Sequence, residues 1–237
     1  MNIVIIGATS GIGKALFVKY ANADNCIGIV GRRANLLDGL SQKYPSMTIT
    51  AKADVTNLEE IEHAINAFHK EMEHIDLAIV CSGTGSINAT LDYNIEQPTI
   101  ATNMVGWTFV IDMLYHIIEQ QGHGHLVAIT SAGGLRGEPM APAYSATKAY
   151  QINYMEALRK KAYKSGIQIT VTDIRPGLVD TAMAKGEGLF WVMPVEKVAS
   201  QIIAVIRKKK SKAYVTKRWH ILAILNKNLP YCLYKRM

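Results

Sequence analysis

Two residues with acid–base chemistry, Tyr144 and Lys148, stand four positions apart in the stretch Ala143-Tyr144-Ser-Ala-Thr-Lys148. Residues at this spacing lie on one face of a helix. A tyrosine with its ordinary pKa of about 10 is a poor proton carrier at neutral pH, but a neighbouring ammonium group favours its phenolate. The pair could therefore act as a general acid/base that moves a proton to or from a substrate oxygen, although such pairs by themselves usually mark an ordinary helix surface.

A third candidate side chain, Ser131, follows the fifth predicted strand. Open α/β sheets bind ligands at the carboxyl ends of their strands, so we expect Ser131 to hold the same substrate oxygen by a hydrogen bond. Singly, each residue has an ordinary structural alternative: Ser131 as a strand-end cap, and Tyr144 as a half-buried aromatic. Their conjunction with Lys148 favours a catalytic site.

A glycine-rich turn, Gly7-Ala-Thr-Ser-Gly11-Ile-Gly13, connects the first predicted strand to a helix. Glycines let the backbone approach a pyrophosphate, and the N-terminus of the helix attracts the anion. The spacing G-x-x-x-G-x-G differs from the dinucleotide fingerprint G-x-G-x-x-G, and a purely structural turn is the alternative. The residues that we expect to contact a dinucleotide here are Gly7, Thr9, Ser10, Gly11, Ile12 and Gly13.

The end of the second predicted strand indicates which dinucleotide is bound. This strand ends in Gly31-Arg32-Arg33, with no acidic residue. An acid at this place binds the ribose hydroxyl of NAD, whereas an arginine suits the additional phosphate of NADP. The sequence therefore favours NADP(H) over NAD(H), the alternative being that Arg32 and Arg33 are solvated surface charges.

Asp54 and Val55 follow the third predicted strand, where we expect them to contact the adenine end of the cofactor. The Asp54 carboxylate can accept a hydrogen bond from the adenine amino group. It can equally cap the next helix, a role for which Thr56 and Asn57 compete. Both interpretations stay open at this point.

The elements that must position these residues alternate along the first 206 residues. Short β-branched runs predict strands at 3–6, 26–30, 47–51, 77–81, 126–130 and 167–174, and amphipathic stretches predict helices at 12–20, 58–72, 99–120 and 145–165. This alternation is typical of a doubly wound, Rossmann-type α/β fold: one parallel sheet with helices on both faces. We expect a single domain at 1–206, followed by a basic amphipathic extension at 207–237.

With these motifs in order, the chain resembles the single-domain short-chain dehydrogenase/reductase family over residues 1 to about 200. Besides the glycine loop, Ser131, Tyr144 and Lys148, the resemblance includes Asn103 in Asn103-Met-Val-Gly106, and Pro176-Gly177 followed by Thr181. It implies an NADP(H)-dependent oxidoreductase that interconverts a small-molecule carbonyl and a secondary alcohol by hydride transfer. The alternative, a catalytically silent nucleotide-binding sensor or interaction protein on the same fold, would have lost the Tyr/Lys/Ser set.

The resemblance also implies roles for further residues. Lys148 touches the nicotinamide ribose, and Asn103 supports a water chain that relays protons to Lys148. The nicotinamide side of the pocket is formed by Pro176, Gly177, Val179 and Thr181, although a bare turn is the alternative for the proline and glycine. One departure is visible, because Val80-Cys81-Ser82-Gly83 stands where members often have Asn-Asn-Ala-Gly. Gly83 is kept, and we expect rearranged hydrogen bonding beside it.

Composition bounds the location and the partners. The three cysteines, Cys26, Cys81 and Cys232, show no zinc-site or disulfide spacing, and no secretory signal precedes the first strand. We therefore expect a cytoplasmic protein without a metal. The net charge of +7 arises from residues 207–237, which carry ten Lys/Arg and no acid. Since no nucleic-acid-reading motif accompanies them, we expect no nucleic-acid partner.

Two segments leave alternatives open. Residues 182–193 contain two glycines and several apolar side chains, and they form either a substrate lid or a simple cover over the core. In the extension, 213–215 is a probable strand and 219–233 a helix and turn that cover apolar surface, with Ile221, Leu222, Leu225 and Leu229 on one face. This segment docks on its own domain, packs in a homo-oligomer, or lies on an anionic membrane surface.

Overall fold

The computed structural model describes residues 1–21, 23–44, 48–184 and 190–236. Within them, seven parallel strands form one sheet in the order β3-β2-β1-β4-β5-β6-β7. The strands are β1 (Asn2–Ile6), β2 (Cys26–Gly31), β3 (Thr48–Lys52), β4 (Leu77–Val80), β5 (His123–Ile129), β6 (Gln168–Pro176) and β7 (Lys212–Val215). The predicted doubly wound parallel sheet is confirmed. Of the strand predicted at 47–51, Met47 lies outside the described residues.

Helices pack on both faces of this sheet. They are α1 (Gly11–Ala21), α2 (Ala34–Lys43), α3 (Leu58–Met72), α4 (Tyr93–Ile100), α5 (Trp107–Gln121), α6 (Pro142–Ser165), α7 (Val195–Arg207), α8 (Lys217–Asn228) and α9 (Tyr231–Tyr234). A π-helical stretch, Ala101–Gly106, joins α4 to α5, and a 3-10 turn, Ala132–Leu135, follows β5. None of the described helices is long and apolar enough to cross a bilayer.

The strand β1 shows why both faces are covered. Val4 and Ile6 point into the core formed with α3, α5 and α6, whereas Ile3 and Ile5 point into the core formed with α1, α2 and α7. All four side chains are completely buried. Successive side chains of a strand point to opposite faces, so an uninterrupted apolar run requires a layer of helices on each side.

The chain reverses its direction across the sheet between β1 and β4. From β1 it proceeds through β2 to β3 at one edge, and from β4 it proceeds to β7 at the other. Such a switch point opens a crevice at the carboxyl ends of the two strands, which is where doubly wound folds bind their ligands. The glycine loop after β1 and the segment after β4 lie at this crevice.

The helix predicted at 99–120 is wrong as a single regular helix. The helical segment begins at Tyr93, and its middle is the π-helical stretch Ala101–Gly106. Pro98, inside α4, has no N–H to donate, so the regular hydrogen-bond ladder is already interrupted before the stretch begins. Asn103 lies within the widened turn.

The C-terminal extension packs on its own domain in this structure. β7 pairs with β6, and α8 follows directly. Trp219 and Ala223 face inward, whereas Ile221 and Leu225 are 65% and 61% exposed. Of the predicted helix face, Ile221 and Leu225 are therefore wrong, whereas Leu222 and Leu229 are half-buried. The spacing that meets the domain is that of Trp219 and Ala223.

Candidate active site

The glycine loop brings β1 and α1 into close contact. Gly7 has φ +88°, and the N–H groups of Gly7 and Ala8 both donate to the carbonyl of Val30, at 2.9 and 3.0 Å. A Cβ atom on Gly13 would lie 2.2 Å from the Gly7 carbonyl oxygen. Only glycine fits both places, and the result is an N-terminus of α1 that opens directly onto the crevice.

The predicted adenosine end of the site is assembled from three loops. Arg33 Nη2 donates to Thr9 Oγ1 at 2.8 Å, and Arg32 Nη1 lies 3.4 Å from Asp54 Oδ2. A Cβ atom on Gly31 would lie 2.4 Å from the Thr9 side chain, so glycine is needed for this contact. The structure thus brings Arg33 to the glycine loop, whereas the largely exposed Arg32 side chain lies beside Asp54.

Asp54 closes a turn and is not the cap of α3. Its Oδ1 accepts hydrogen bonds from the N–H and the hydroxyl of Thr56, both at 2.9 Å. Asn57 is the cap, since its side chain accepts from Glu60 N. Burial raises the pKa of Asp54, but the bonds from Thr56 and Arg32 outweigh this effect and hold the pKa below its ordinary value. An adenine contact of Asp54 stays a prediction.

Tyr144 and Lys148 lie together near the start of α6. Lys148 is 4% exposed, and its Nζ lies 5.8 Å from the centroid of the Tyr144 ring. Burial lowers the pKa of Lys148 to about 8, and the negative charge of Asp173 partly opposes this shift. Most of the Lys148 side chains therefore keep their charge at neutral pH.

Burial decides the state of Tyr144 in the free protein. Desolvation raises the pKa of Tyr144, and its interaction with the Ser131 hydroxyl only partly opposes this. Stabilisation of the phenolate by Lys148 stays a prediction. The phenol, which is the proton-donating form, is the resting state.

Ser131 connects the end of β5 to the tyrosine. Its Oγ accepts a hydrogen bond from Gly133 N at 3.0 Å, so Ser131 caps the 3-10 turn. This is the structural role that was the alternative to a catalytic one. The same hydroxyl also interacts with Tyr144. The two roles are therefore compatible, since a hydroxyl oxygen that accepts one bond still has a proton to donate.

Asn103 holds the segment after β4 in place. Its side chain accepts from Thr84 N at 2.9 Å and donates to Thr84 O at 2.7 Å and to Thr147 Oγ1 at 3.1 Å. A Cβ atom on Gly83 would lie 3.3 Å from Lys148 Nζ. These bonds hold Thr84, next to Gly83, and they attach this segment to α6. A rearrangement relative to the family stays a prediction.

Three residues beside Tyr144 and Lys148 were not predicted from the sequence. A Cβ atom on Gly85 would lie 2.5 Å from the Tyr144 ring, and one on Gly134 would lie 2.6 Å from the Lys148 backbone. Gln151 is completely buried and bonds to the Lys148 ammonium group. Its signal in the sequence is its spacing, since it lies three residues after Lys148 and seven after Tyr144, on the same helix face.

The segment after β6 borders the glycine loop and the C-terminal helix. Val179 pairs with Met193 in an isolated β-bridge. Thr181 packs against Gly11, since a Cβ atom on Gly11 would lie 3.3 Å from Thr181 Cγ2. The Phe190 ring stacks on Trp219 with centroids 5.6 Å apart. Of the predicted lid at 182–193, residues 185–189 lie outside the described residues.

The residues at the crevice fit a dinucleotide. Gly7 lets the glycine loop pack against the segment after β4, since a Cβ atom on Gly7 would lie 2.8 Å from Ser82 N. The Ser82 hydroxyl is buried and has no hydrogen-bond partner within the described part of the chain, so a polar ligand atom would satisfy it. Across the same described residues, His, Cys, Asp and Glu side chains do not form groups of three that could hold a metal ion.

Comparisons with known proteins agree with this arrangement. A family model described as short chain dehydrogenase matches residues 1–189. An uncharacterized oxidoreductase of Staphylococcus epidermidis is 31% identical over 185 residues, which cover 77% of this chain and 80% of the relative. An uncharacterized oxidoreductase of Mycobacterium tuberculosis is 30% identical over 223 residues, which cover 90% and 87%.

Solved structures share the fold at lower identity. A short chain dehydrogenase/reductase from Burkholderia phymatum in complex with NAD has a TM-score of 0.85 at 17% identity, and the match covers 95% of this chain and 92% of that one. ElxO with NADP bound has a TM-score of 0.79 at 20% identity, with 90% and 96% covered. At these identities the likeness establishes the fold.

Proposed function

We propose, since the chain belongs to the short-chain dehydrogenase/reductase family, that it interconverts a carbonyl and a secondary alcohol with NADP(H), using Tyr144 as the general acid/base. The observation that carries the proposal is one cluster of side chains. Tyr144, Lys148 and Ser131 meet beside the crevice that the glycine loop borders. A silent nucleotide sensor would not need such a cluster.

The protein side chains perform the proton chemistry in this proposal, and the bound nicotinamide supplies or accepts the hydride. In reduction, the Tyr144 phenol donates its proton to the substrate oxygen, and the Ser131 hydroxyl donates a hydrogen bond to the same oxygen. The Lys148 ammonium group then stabilises the phenolate that is left. In oxidation, the same phenolate takes the proton of the alcohol.

The proposed cofactor contacts follow the crevice from end to end. Arg32 and Arg33 bind the 2′-phosphate, and the glycine loop binds the pyrophosphate. Asp54 and Val55 border the adenine, and Pro176, Gly177, Val179 and Thr181 border the nicotinamide. The preference for NADP(H) rests on the two arginines and on the lack of an acid after β2, since similar structures hold NADP in one case and NAD in another.

The substrate side of the proposed pocket is aromatic. Phe190, Trp191 and Trp219 form a cluster next to Gly177. We propose that a small carbonyl or alcohol with an apolar surface binds against it. A cytoplasmic location and a homo-oligomeric assembly stay predictions, as does any membrane contact of the exposed face of α8.

A screen of carbonyl compounds for NADPH consumption tests the proposal. Ketones with apolar substituents are expected to be reduced faster than small polar ketones, because of the aromatic cluster. The proposal predicts that NADPH supports faster turnover than NADH. The silent sensor would be the better account if two results were found together. Neither NADPH nor NADH would be oxidised with any carbonyl compound, and neither NADP nor NAD would be reduced with any alcohol.

A further inference from the structure

Gln151 connects two parts of the candidate site. Its Oε1 accepts from Lys148 Nζ at 2.9 Å, and its Nε2 donates to the Asn103 carbonyl oxygen at 2.8 Å. A lysine ammonium group can only donate and a carbonyl can only accept, so the partners fix which end of the amide is which. Both ends of this buried side chain are therefore used.

The Gln151 bond is the shorter of the two protein bonds that the structure describes for Lys148 Nζ. The other goes to the Ile129 carbonyl oxygen at 3.4 Å. An ammonium group buried to this extent is costly without good acceptors, because it has lost its hydration. Gln151 supplies the acceptor of best geometry.

Charged groups around Lys148 do not replace this acceptor. Asp173, from β6, acts on it through its charge, but the two oxygens of Asp173 are engaged by Thr130 Oγ1 at 2.6 Å and by Arg175 Nε at 2.7 Å. Cys81, after β4, and Tyr144, on α6, are the other titratable groups that face Lys148. The pKa values of the Cys81 thiol and the Tyr144 phenol are both raised, so both groups are protonated and uncharged at neutral pH.

The acceptor of the bond from Gln151 Nε2 is also specific. The Asn103 carbonyl lies in the π-helical stretch Ala101–Gly106, where the backbone ladder is widened and a side chain can reach the carbonyl. Through this bond the Gln151 amide is fixed relative to α5 as well as α6. A side chain tied at both ends holds the Lys148 ammonium group at one place.

We infer that Gln151 is a positioning residue that holds the Lys148 ammonium group beside Tyr144 by tying it to the Asn103 carbonyl. The inference deepens the proposed function and rests on it for its catalytic meaning. The Asn103 carbonyl is thereby connected to Lys148 through the Gln151 side chain. The contact itself can be tested without any substrate.

The test follows the protonation of Lys148 by NMR, through its 13Cε resonance, in the full-length protein without cofactor. Lys148→Arg identifies the resonance by its disappearance. Gln151→Met keeps the length of the side chain but removes the acceptor, and Gln151→Glu keeps the acceptor and adds a charge. Gln121→Met is the matched control, since Gln121 also uses both ends of its amide, on Ile75 and His123, away from the site.

Gln151→Met is expected to lower the midpoint of the Lys148 titration from about 8, by roughly half a pH unit or more. Gln151→Glu is expected to raise it by about one unit, and Gln121→Met to leave it unchanged. If Gln151→Met does not fold, Gln151→Glu decides alone. Unchanged midpoints in the folded Gln151 variants would overturn the inference.

Activity separates this inference from the proposed function. With a carbonyl compound that consumes NADPH, the pH profile of turnover is expected to move in the same direction as the Lys148 midpoint in each variant. Shifted midpoints in a protein that reduces no carbonyl compound would overturn the proposed function and leave the Gln151–Lys148 contact standing. Shifted midpoints with an unmoved profile would overturn the positioning role.

Discussion

Trp219 lies directly on Gly177, so that a Cβ atom on the glycine would come within 2.1 Å of the indole ring. The absence of a side chain at Gly177 thus makes room for a residue of the C-terminal helix. On the far side, Arg136 Nε donates to the Asn226 carbonyl at 3.0 Å and Arg136 Nη2 bonds to the Leu229 carbonyl. The helix α8 is therefore attached to the domain near both of its own ends.

Gly177→Ala is expected to push α8 off the domain. Because the ring is rigid and the contact is close, the added methyl group should cost about 1–3 kcal/mol in the free energy of unfolding. Limited proteolysis should then cut between residues 217 and 236 in the variant but not in the wild type. Chemical denaturation measures the change in stability.

Gly39→Ala is the matched control for this substitution. Gly39 lies inside α2 with nothing within 4 Å of an added Cβ atom. Alanine there should raise the free energy of unfolding by about 0.5–1 kcal/mol, through helix propensity. A Gly177→Ala protein as stable and as resistant to protease as Gly39→Ala would refute the contact.

The rate of carbonyl reduction should depend on the charge of Lys148. The pKa of Lys148 is lowered to about 8, so the ammonium group that stabilises the Tyr144 phenolate is lost as the pH rises through that value. We expect kcat/KM for reduction to fall with a midpoint near pH 8. In Lys148→Arg the charge persists, so a residual activity should show no such fall. A flat wild-type profile from pH 6 to 10 would exclude this role.

Arg33 should contribute to NADPH binding and not to NADH binding. Removing a charged hydrogen-bond donor from a phosphate typically costs 1.5–3 kcal/mol, so Arg33→Ala should weaken NADPH binding roughly tenfold to a hundredfold. The affinity for NADH, which lacks the phosphate, serves as the internal control. Calorimetric titration measures both, and an equal loss for the two nucleotides would contradict the proposed phosphate contact.

His125 should make the fold sensitive to acid. Burial lowers the pKa of His125 to about 4 from an ordinary value of 6.5. Its Nε2 lies 2.7 Å from Thr172 Oγ1, which donates its own proton to the Lys210 carbonyl, so Nε2 is the donor. The lowered pKa keeps the ring neutral at pH 7. In the unfolded chain, His125 binds a proton below about pH 6.5. In the folded protein, His125 stays neutral until the pH falls to about 4.

Stability from this source should therefore fall as the pH drops from 6.5 to 4, by on the order of 3 kcal/mol. His125→Gln should flatten the pH dependence of the free energy of unfolding between pH 6.5 and 4, although it lowers stability at pH 7. The same change at the exposed His63 should leave the dependence as in the wild type. Parallel curves of unfolding free energy against pH for wild type and His125→Gln would contradict the assignment.

The sequence predicted the parallel sheet because the sheet depends on local patterns. The apolar run of β1 and the alternation of strands with helices are short-range features that the fold preserves. The spacing of Tyr144 and Lys148 likewise predicted that both residues lie on one face of a helix, and α6 contains both.

Contacts between distant parts of the chain could not be predicted in the same way. Trp219 meets Gly177 only because β7 returns the chain to the edge of the sheet, and this decides which face of α8 is buried. The raised pKa of Tyr144 depends on burial by several loops at once. The bond from Gln151 to Asn103 needs a π-helical stretch that no periodicity in the sequence announces.

The central claim is that Tyr144 carries the transferred proton, and Tyr144→Phe tests it most directly. The variant lacks only the hydroxyl, so it should fold and bind NADPH as the wild type does. Its rate of NADPH oxidation with a carbonyl substrate, measured in a single turnover with both reactants saturating, is predicted to fall by about 10²–10⁴. A variant that binds NADPH normally and reduces the carbonyl at the wild-type rate would contradict the account.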